Sequence, residues 1–437
     1  MQLMRLTCTF SLLLPCSGLL SLCLLSSVLL SFTMGLSNHA MAQVQSENKI
    51  NFEQCQANFK KEAEKAGFSD FITNDVIGSL RPLERVITLD RSQPEFTQSF
   101  GGYIKKRVNA YRIQTGKRML KEHATLLNSL TQKYGVPARY IVAFWGMETN
   151  YGNYKGKIKT LNTLATLACD PRRSQYFTQE LTTLFTLLDA KRVSIEQLTG
   201  SWAGAMGHMQ FMPTTLMTYG VDGDNDGKLN VWESLPDAFT SAANYLQKMG
   251  WNKQEIWGRK VELPKDFAFD KVISGKRYPL HHFKQLGVTK SYQRPLPAYE
   301  TQTKLILPSG HLGPAFLVYA NFSIILKWNY SQNYALAIGL LADQLVGIDN
   351  GLNHYDTTPH FFTNQDLKAL QQALLDKNFD VGKPDGVWGP NTRKAMQQYQ
   401  LQNGLVGDGF PHKEVFDKLH VKRGVVLDRK TEAKPTQ

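Results

Sequence analysis

The sequence predicts a mainly α protein with a small β insertion, followed by a small separate helical unit near its C-terminus. Three observations lead there. Apolar residues recur at helical spacing over residues 52–69, 120–133, 137–149, 176–188 and 236–249. From 257 to 308 the pattern breaks into short β-like pieces, "RKVELP" and "TKLILP", parted by Pro and Gly. Beyond a Gly-, Asn-, Asp- and Pro-rich stretch, "GIDNGLNHYDTTPHF", helical spacing returns in a last unit of about sixty residues, an ordinary size for a very small domain. At 437 residues the chain has room for two or three domains, and 42% hydrophobic with 11% aromatic residues is a globular composition.

Residues 1–42 stand apart. Their only charge is Arg5, an apolar run fills 10–32, and in "NHAMAQ" Ala40 and Ala42 form an A-x-A cleavage signal before Gln43. This predicts an export signal cleaved after Ala42. A membrane-anchoring helix is the alternative, since the run is long enough to span a bilayer. Lipid anchoring at Cys16 or Cys23 is disfavoured because neither is preceded by a small residue. Of five cysteines, cleavage leaves Cys55 and Cys169, which form one disulfide closing a long loop or remain two buried thiols. The formal net charge of +13 loses only Arg5 with the signal, so an anionic partner is expected. Export makes nucleic acid the weakest of the anionic partners.

The mature elements follow in order. The first helix, "FEQCQANFKKEAEKAGFS", has a natural stop at Gly67. Pro137 is placed in the first turn of the 137–149 helix, where its missing N–H is not needed. After the β insertion, helix is expected over 314–346. The domain reading is 43–348, a linker over 349–362, a second unit over 363–420 and a basic, disordered tail over 421–437. In the second unit, "NQDLKALQQALLDKN" and "NTRKAMQQYQLQNG" are helices joined by the turn "DVGKPDGVWGP".

Four stretches carry candidate chemistry. In "YIVAFWGMETNYG", Glu148 ends an apolar helix, with Trp145 and Phe144 three and four residues back. Apolar walls favour the neutral carboxyl, which suits a general acid; an exposed helix end paired with Lys155 or Lys157 is the structural alternative. "GSWAGAMGHMQFMP" surrounds Ser201, Trp202, His208, Gln210 and Phe211 with small residues that permit close backbone approach. "DGDNDGKLNVWE" matches a twelve-residue calcium loop, with Asp222, Asp224, Asp226, the Lys228 carbonyl, Asn230 and Glu233 as ligands and Gly227 at the sharp turn. "NFSIILKWNYSQNYALA" mixes Asn321, Trp328, Asn329, Ser331 and Tyr334, rings and amides of the kind that bind sugars, or else a core helix with one polar face.

Together these stretches resemble the lytic murein transglycosylase B family from Phe52 to about Gly347, with "CDPRRSQYF" and "ANYL" completing the set. The last unit separately resembles a three-helix peptidoglycan-binding domain through "LQQALLDKNF" and "PDGVWGPNTRKAMQQYQLQNGL", in which Asp385 and Gly386 set the turn and Thr392 caps or orients the next helix. The resemblance implies a lysozyme-like α+β catalytic domain and cleavage of the MurNAc–GlcNAc bond of peptidoglycan to 1,6-anhydroMurNAc, with Glu148 as acid and then base. It implies sugar contacts from Tyr103, Arg172, Arg173, Tyr176, Ser201, Met206, Gln210, Tyr245, Asn329 and Tyr334, and Asp237 as a further calcium ligand. It also implies a monomeric periplasmic enzyme acting on glycan strands, not nucleic acid, with no cofactor for the chemistry, a structural Ca2+, and cell-wall synthases or amidases as companions. Trp328 departs from members carrying tyrosine there, which leaves a hydroxyl contact in doubt. A hydrolytic muramidase and a non-catalytic wall-binding scaffold are the alternatives.

Overall fold

The first described helix, α1 (Phe52–Lys65), carries Glu53 in its first turn and Lys65 in its last, and stops before Gly67, whose φ of 79° a β-carbon would disfavour. The computed structural model of the chain describes residues 51–91, 99–349 and 363–422. The expected signal segment, all but the first residue of the linker, and the tail beyond 422 lie outside the described residues. The described residues from Phe52 onward form one compact unit.

A π-helical turn (Phe71–Val76) and α2 (Glu84–Arg91) lead to α3 (Phe100–Arg107), capped by Ser99 Oγ accepting from the Gly102 N–H. The single helix expected over 120–133 is instead two, α4 (Ala110–Glu122) and α5 (Ala124–Tyr134), broken at His123. The break turns the His123 ring inward, edge-on to Trp145 at 5.8 Å and Phe239 at 6.0 Å. Next comes α6 (Ala138–Thr149); Pro137 is its N-cap with extended ψ of 137°, one place earlier than the expected first turn. Every residue from Tyr140 to Met147 is buried, as a helix apolar on all sides must be, and α4, α5, α10 (Leu235–Lys248) and α13 (Gln332–Leu345) pack around it.

A two-stranded pair, β1 (Ile158–Lys159) and β2 (Thr199–Gly200), flanks α7 (Thr160–Cys169) and α8 (Ser174–Asp189), and α9 (Pro213–Tyr219) follows. Cys55 and Cys169 are bridged across 114 residues, tying α1 to the end of α7. By loop length, such a closure contributes about 4–5 kcal/mol through the unfolded chain.

The β insertion is a five-stranded antiparallel sheet in the order β4 (Tyr278–Pro279), β6 (Gln302–Ile306), β7 (Ala315–Val318), β3 (Gly258–Glu262), β5 (Thr289–Lys290). Between β4 and β5 lies the short helix α11 (Leu280–Gln285), whose Leu280 and Phe283 fill the insertion's core. Here the structure corrects the expectation of helix from 314: β7 is a strand, and α12 (Ala320–Trp328) starts later. The four residues of β7 are all buried, because both faces are covered: Ala315 and Leu317 fill the insertion's core, and Phe316 packs against Phe100 and Trp257. A short, wholly apolar run has no alternation to distinguish it from a core helix.

The C-terminal unit has three helices, α14 (Asn364–Leu375), α15 (Pro390–Gln402) and α16 (Lys413–Lys418), around Leu370, Leu374, Met396 and Phe416. Thr392 does not cap α15, whose N-cap is Gly389; its buried hydroxyl accepts from Gln371 Nε2 at 3.0 Å. Gln371 also donates to Asp385 Oδ1 at 3.1 Å and accepts from the Gly386 N–H at 2.8 Å, so one glutamine organises the whole "PDG" turn. The unit is fastened to the β insertion. Gln397 Nε2 donates to the Val272 carbonyl at 2.7 Å, the Ser274 N–H donates to Gln397 Oε1 at 2.7 Å, and Asp408 Oδ2 accepts from the His311 N–H at 2.8 Å.

Candidate active site

Glu148 is the single residue between Tyr140 and Thr149 that is not buried. The helix therefore delivers one carboxylate to solvent from an otherwise dry element. Its Oε1 accepts from Trp328 Nε1 at 3.0 Å and from the Tyr334 hydroxyl. Two donors on Oε1 assign any proton carried by this carboxyl to Oε2. Burial, followed by the charge and hydrogen bond of Glu148, holds the Tyr334 phenol well above the ordinary tyrosine range, so it remains a donor. Tyr103, buried on α3, adds to the same effect.

Trp328 is held on several sides. Phe144 lies 4.5 Å away, Tyr245 meets it edge-on at 5.0 Å and Phe211 at 5.3 Å. These rings come from α6, α10 and the glycine-rich loop, so four separate stretches of sequence meet at one indole. Burial, aided by the neighbouring Tyr219 and Tyr330, pushes the Tyr245 phenol up to about 12.

The turn after Glu148 is built by left-handed residues. Asn150 (φ 50°) and Tyr151 (φ 60°) reverse the chain, and Gly146 leaves room for the Tyr151 ring, which would lie 2.7 Å from a β-carbon there. Thr149 Oγ1 donates to the His208 carbonyl at 2.9 Å and accepts from the Gly152 N–H at 3.0 Å. Trp145 Nε1 donates to His208 Nδ1 at 3.0 Å. Burial, with the Lys155 charge behind it, lowers the His208 imidazole to about 4. His208 is thus the post joining the glycine-rich loop to α6, a role that spacing did not reveal.

Several expected sugar contacts have other engagements. Ser201 Oγ accepts from the N–H groups of Ala203 and Ala205, and Gln210 Nε2 donates to the carbonyls of Lys155 and Gly207, bonds that shape the loop itself. Met206 is wholly buried, so it has no face to offer a sugar: it sits between Gly200 and Phe211 in two antiparallel bridges. Arg172 and Arg173 both pair with the buried Asp90, at 2.6 Å for Arg172, which draws them toward α2. Tyr176 is 45% exposed, and burial together with Glu180 raises its phenol to about 12. Asn329 Oδ1 accepts from the Ser331 N–H at 3.1 Å, and Ser331 caps α13. Asn321 is buried and spends its amide on the backbone at Asn252 and Glu255. Lys155 pairs with Glu233 rather than Glu148.

The acidic loop only partly follows the expected ligand set. Carboxylate oxygens of Asp222, Asp224 and the fully buried Asp237 lie within 4.8 Å of one another. Glu233, expected at the twelfth position, instead meets Lys155 Nζ at 3.1 Å, and its side chain is 73% exposed. Asp226 accepts from the Lys228 N–H and Asn230 from the Glu233 N–H, which orders the loop internally. Three converging carboxylates, with no cationic side chain paired to them among the described residues, fit a hard, oxygen-seeking cation.

Comparison with known proteins now bears on this geometry. Residues 51–343 match the family described as transglycosylase SLT domain, and residues 363–419 match the putative peptidoglycan binding domain. The membrane-bound lytic murein transglycosylase B of Escherichia coli is 31% identical over 293 residues, 64% of this chain and 78% of that protein. The crystal structure of SltB3 from Pseudomonas aeruginosa in complex with NAG-anhNAM-pentapeptide is 37% identical, with a TM-score of 0.79 over 85% of this chain and all of that one. The Escherichia coli lytic transglycosylase Slt35 in complex with calcium is 29% identical, with a TM-score of 0.57 over 67% of this chain and 92% of that one. A helix-borne glutamate gripped by an indole and a phenol, on a chain matched over both its units, places this protein in the lytic murein transglycosylases, enzymes that cleave peptidoglycan.

Proposed function

We propose that this protein cleaves the MurNAc–GlcNAc β-1,4 bond of peptidoglycan without water, leaving 1,6-anhydroMurNAc ends. The observation that carries the reading is the setting of Glu148: Trp328 and Tyr334 donate to its Oε1, Phe144, Phe211 and Tyr245 pack about Trp328, and none of these five side chains is a carboxylate. Most glycosidases need two carboxylates; substrate-assisted ones need one. Glu148 gives its Oε2 proton to the glycosidic oxygen as the C1–O bond breaks. The substrate's own 2-acetamido group stabilises the positive charge at C1. The MurNAc C6 hydroxyl then attacks C1 and returns its proton to Glu148, so acid and base are one group. Trp328 and Tyr334 hold Oε1 throughout and stabilise the carboxylate between the two transfers.

Glu148→Gln keeps the shape and removes the transferable proton. Digestion of purified sacculi by that variant, read by product mass, should show anhydro ends reduced by at least about a thousandfold, within the usual range for a general acid, at an unchanged melting temperature. Normal turnover by the variant, or reducing ends from the parent enzyme, would overturn the assignment.

The acidic loop is read as a structural Ca2+ site with Asp222, Asp224 and Asp237 as its core. Bound there, Ca2+ would cross-link the loop to α10, the helix that carries Asp237. Location in the cell envelope agrees with the membrane-bound relative; the finer reading is a periplasmic protein freed after Ala42. Among the described residues no helix is long and apolar enough to cross a membrane.

A further inference from the structure

A groove of about 430 Å3 runs between the β insertion and the start of α13 on one side and the C-terminal unit on the other. Lys304, on β6, and Arg393, on α15, both line it. Neither has a hydrogen-bond or ion-pair partner among the described residues; the Arg393 guanidinium is only stacked over the Trp388 ring, 5.6 Å from its centre. The Lys304 ammonium is lowered by burial and then by the Arg277 and Arg393 charges, and burial lowers Arg393 to about 10. Cations are thus crowded together in a partly dry place, which is unfavourable until an anion arrives.

The one carboxylate in the lining cannot serve them. Asp408 Oδ1 accepts from Gln400 Nε2 at 3.0 Å and the Phe410 N–H at 2.9 Å, while Oδ2 is taken by His311 and His412 at 2.6 and 2.5 Å. Gln332 and Asn333 also line the groove, and their side-chain amides have no partners among the described residues. Amides both donate and accept, as a peptide backbone requires. Gln332 and Asn333 open α13, whose next residue is Tyr334, the donor to Glu148, so one helix turn joins the groove to the candidate site.

We infer that this groove is a subsite for the stem peptide of the strand being cut, with Lys304 and Arg393 receiving its carboxylates and Gln332 and Asn333 its peptide groups. The inference rests on the transglycosylase reading, since the stem hangs from the MurNAc that Glu148 addresses. It makes the C-terminal unit part of substrate selection rather than a tether alone.

The test compares peptide-bearing glycan strands with strands stripped of stems by an amidase. The Lys304→Met/Arg393→Met double variant should lose about tenfold or more in kcat/KM on the first, the scale of one lost charged hydrogen bond, and keep the parent rate on the second. Equal rates on peptide-bearing strands, or equal losses on both substrates, would overturn the subsite. Calorimetric titration of the parent enzyme with the soluble tripeptide Ala-γ-Glu-diaminopimelate decides independently of how the variant folds. Binding that weakens with salt supports the subsite, and no binding at millimolar peptide removes it. Anhydro-end formation by the parent on stripped strands separately tests the reading beneath it.

Discussion

Trp328 is the residue at which expectation and structure diverge most usefully. Its departure from tyrosine put a hydroxyl contact in doubt, yet the indole N–H reaches Glu148 Oε1 at 3.0 Å and supplies the donor a phenol would have supplied. Indole can only donate, so unlike a hydroxyl it cannot turn and offer a lone pair. Trp328→Phe keeps most of the ring packing against Phe144 and Tyr245 and deletes the donor. A bond to a charged acceptor is worth about 1.5–3 kcal/mol, so kcat should fall by roughly 10- to 150-fold with little change in KM. An unchanged kcat would show that Tyr334 alone positions the acid. Glu148 was legible because its motif is local. Trp328 was visible only as a candidate sugar-binding ring and a departure from tyrosine, not as a partner of Glu148, because the two lie 180 residues apart.

Among elements, the glycine-rich loop and the acidic loop are the two whose workings spacing concealed. The first is pinned to α6 through His208, whose folded-state imidazole is lowered from 6.5 to about 4. Between those values the unfolded chain binds the proton and the folded chain does not. Stability is therefore full above pH 6.5 and declines as pH falls toward 4, by about 2 kcal/mol after allowance for residual solvent screening. Melting temperatures measured across that range should drop, and His208→Gln, which can still accept from Trp145, should flatten the drop. An equally steep profile in the variant would place the titration elsewhere. For the acidic loop, chelation should lower the melting temperature by several degrees, as loss of any ligand bound only to the folded state does, and leave initial cleavage rates unchanged. A fall in rate without loss of stability would make the ion a regulator instead. The ligand spacing suggested Glu233, but the fold offers Lys155 to Glu233, while Asp237, which the family resemblance implied, lies buried beside Asp222 and Asp224.

At the scale of the whole molecule, the C-terminal unit is bonded to the β insertion, and the contact is polar. Gln397 bridges to the 269–274 segment and Asp408 clasps His311. Burial alone would raise the Asp408 carboxyl, but the hydrogen bond and charge of His412 and the bonds from His311 bring it down to about 2. The clasp therefore persists from neutral pH to well below the ordinary carboxylate range. Glutamine, histidine and aspartate have no periodicity of their own, so nothing along the chain marked them as a domain contact.

What could be read along the chain was whatever repeats or clusters locally: the helical spacing around α6, the candidate acid Glu148 in its motif, the ligand-rich loop, and the three-helix unit with its "PDG" turn. Each depends on residues within about a dozen positions of one another, the range over which helix pitch and turn geometry act. What needed the folded molecule was every relation across distance. Burial on both faces made β7 a strand, Asp90 took up Arg172 and Arg173, and four stretches converged on Trp328. Lys304 and Arg393, without ion-pair partners among the described residues, likewise came to line one groove only through the packing of the C-terminal unit on the β insertion. Packing chooses among partners that a linear pattern leaves equivalent, because the energy of a contact depends on what surrounds it and not on where it lies in the chain.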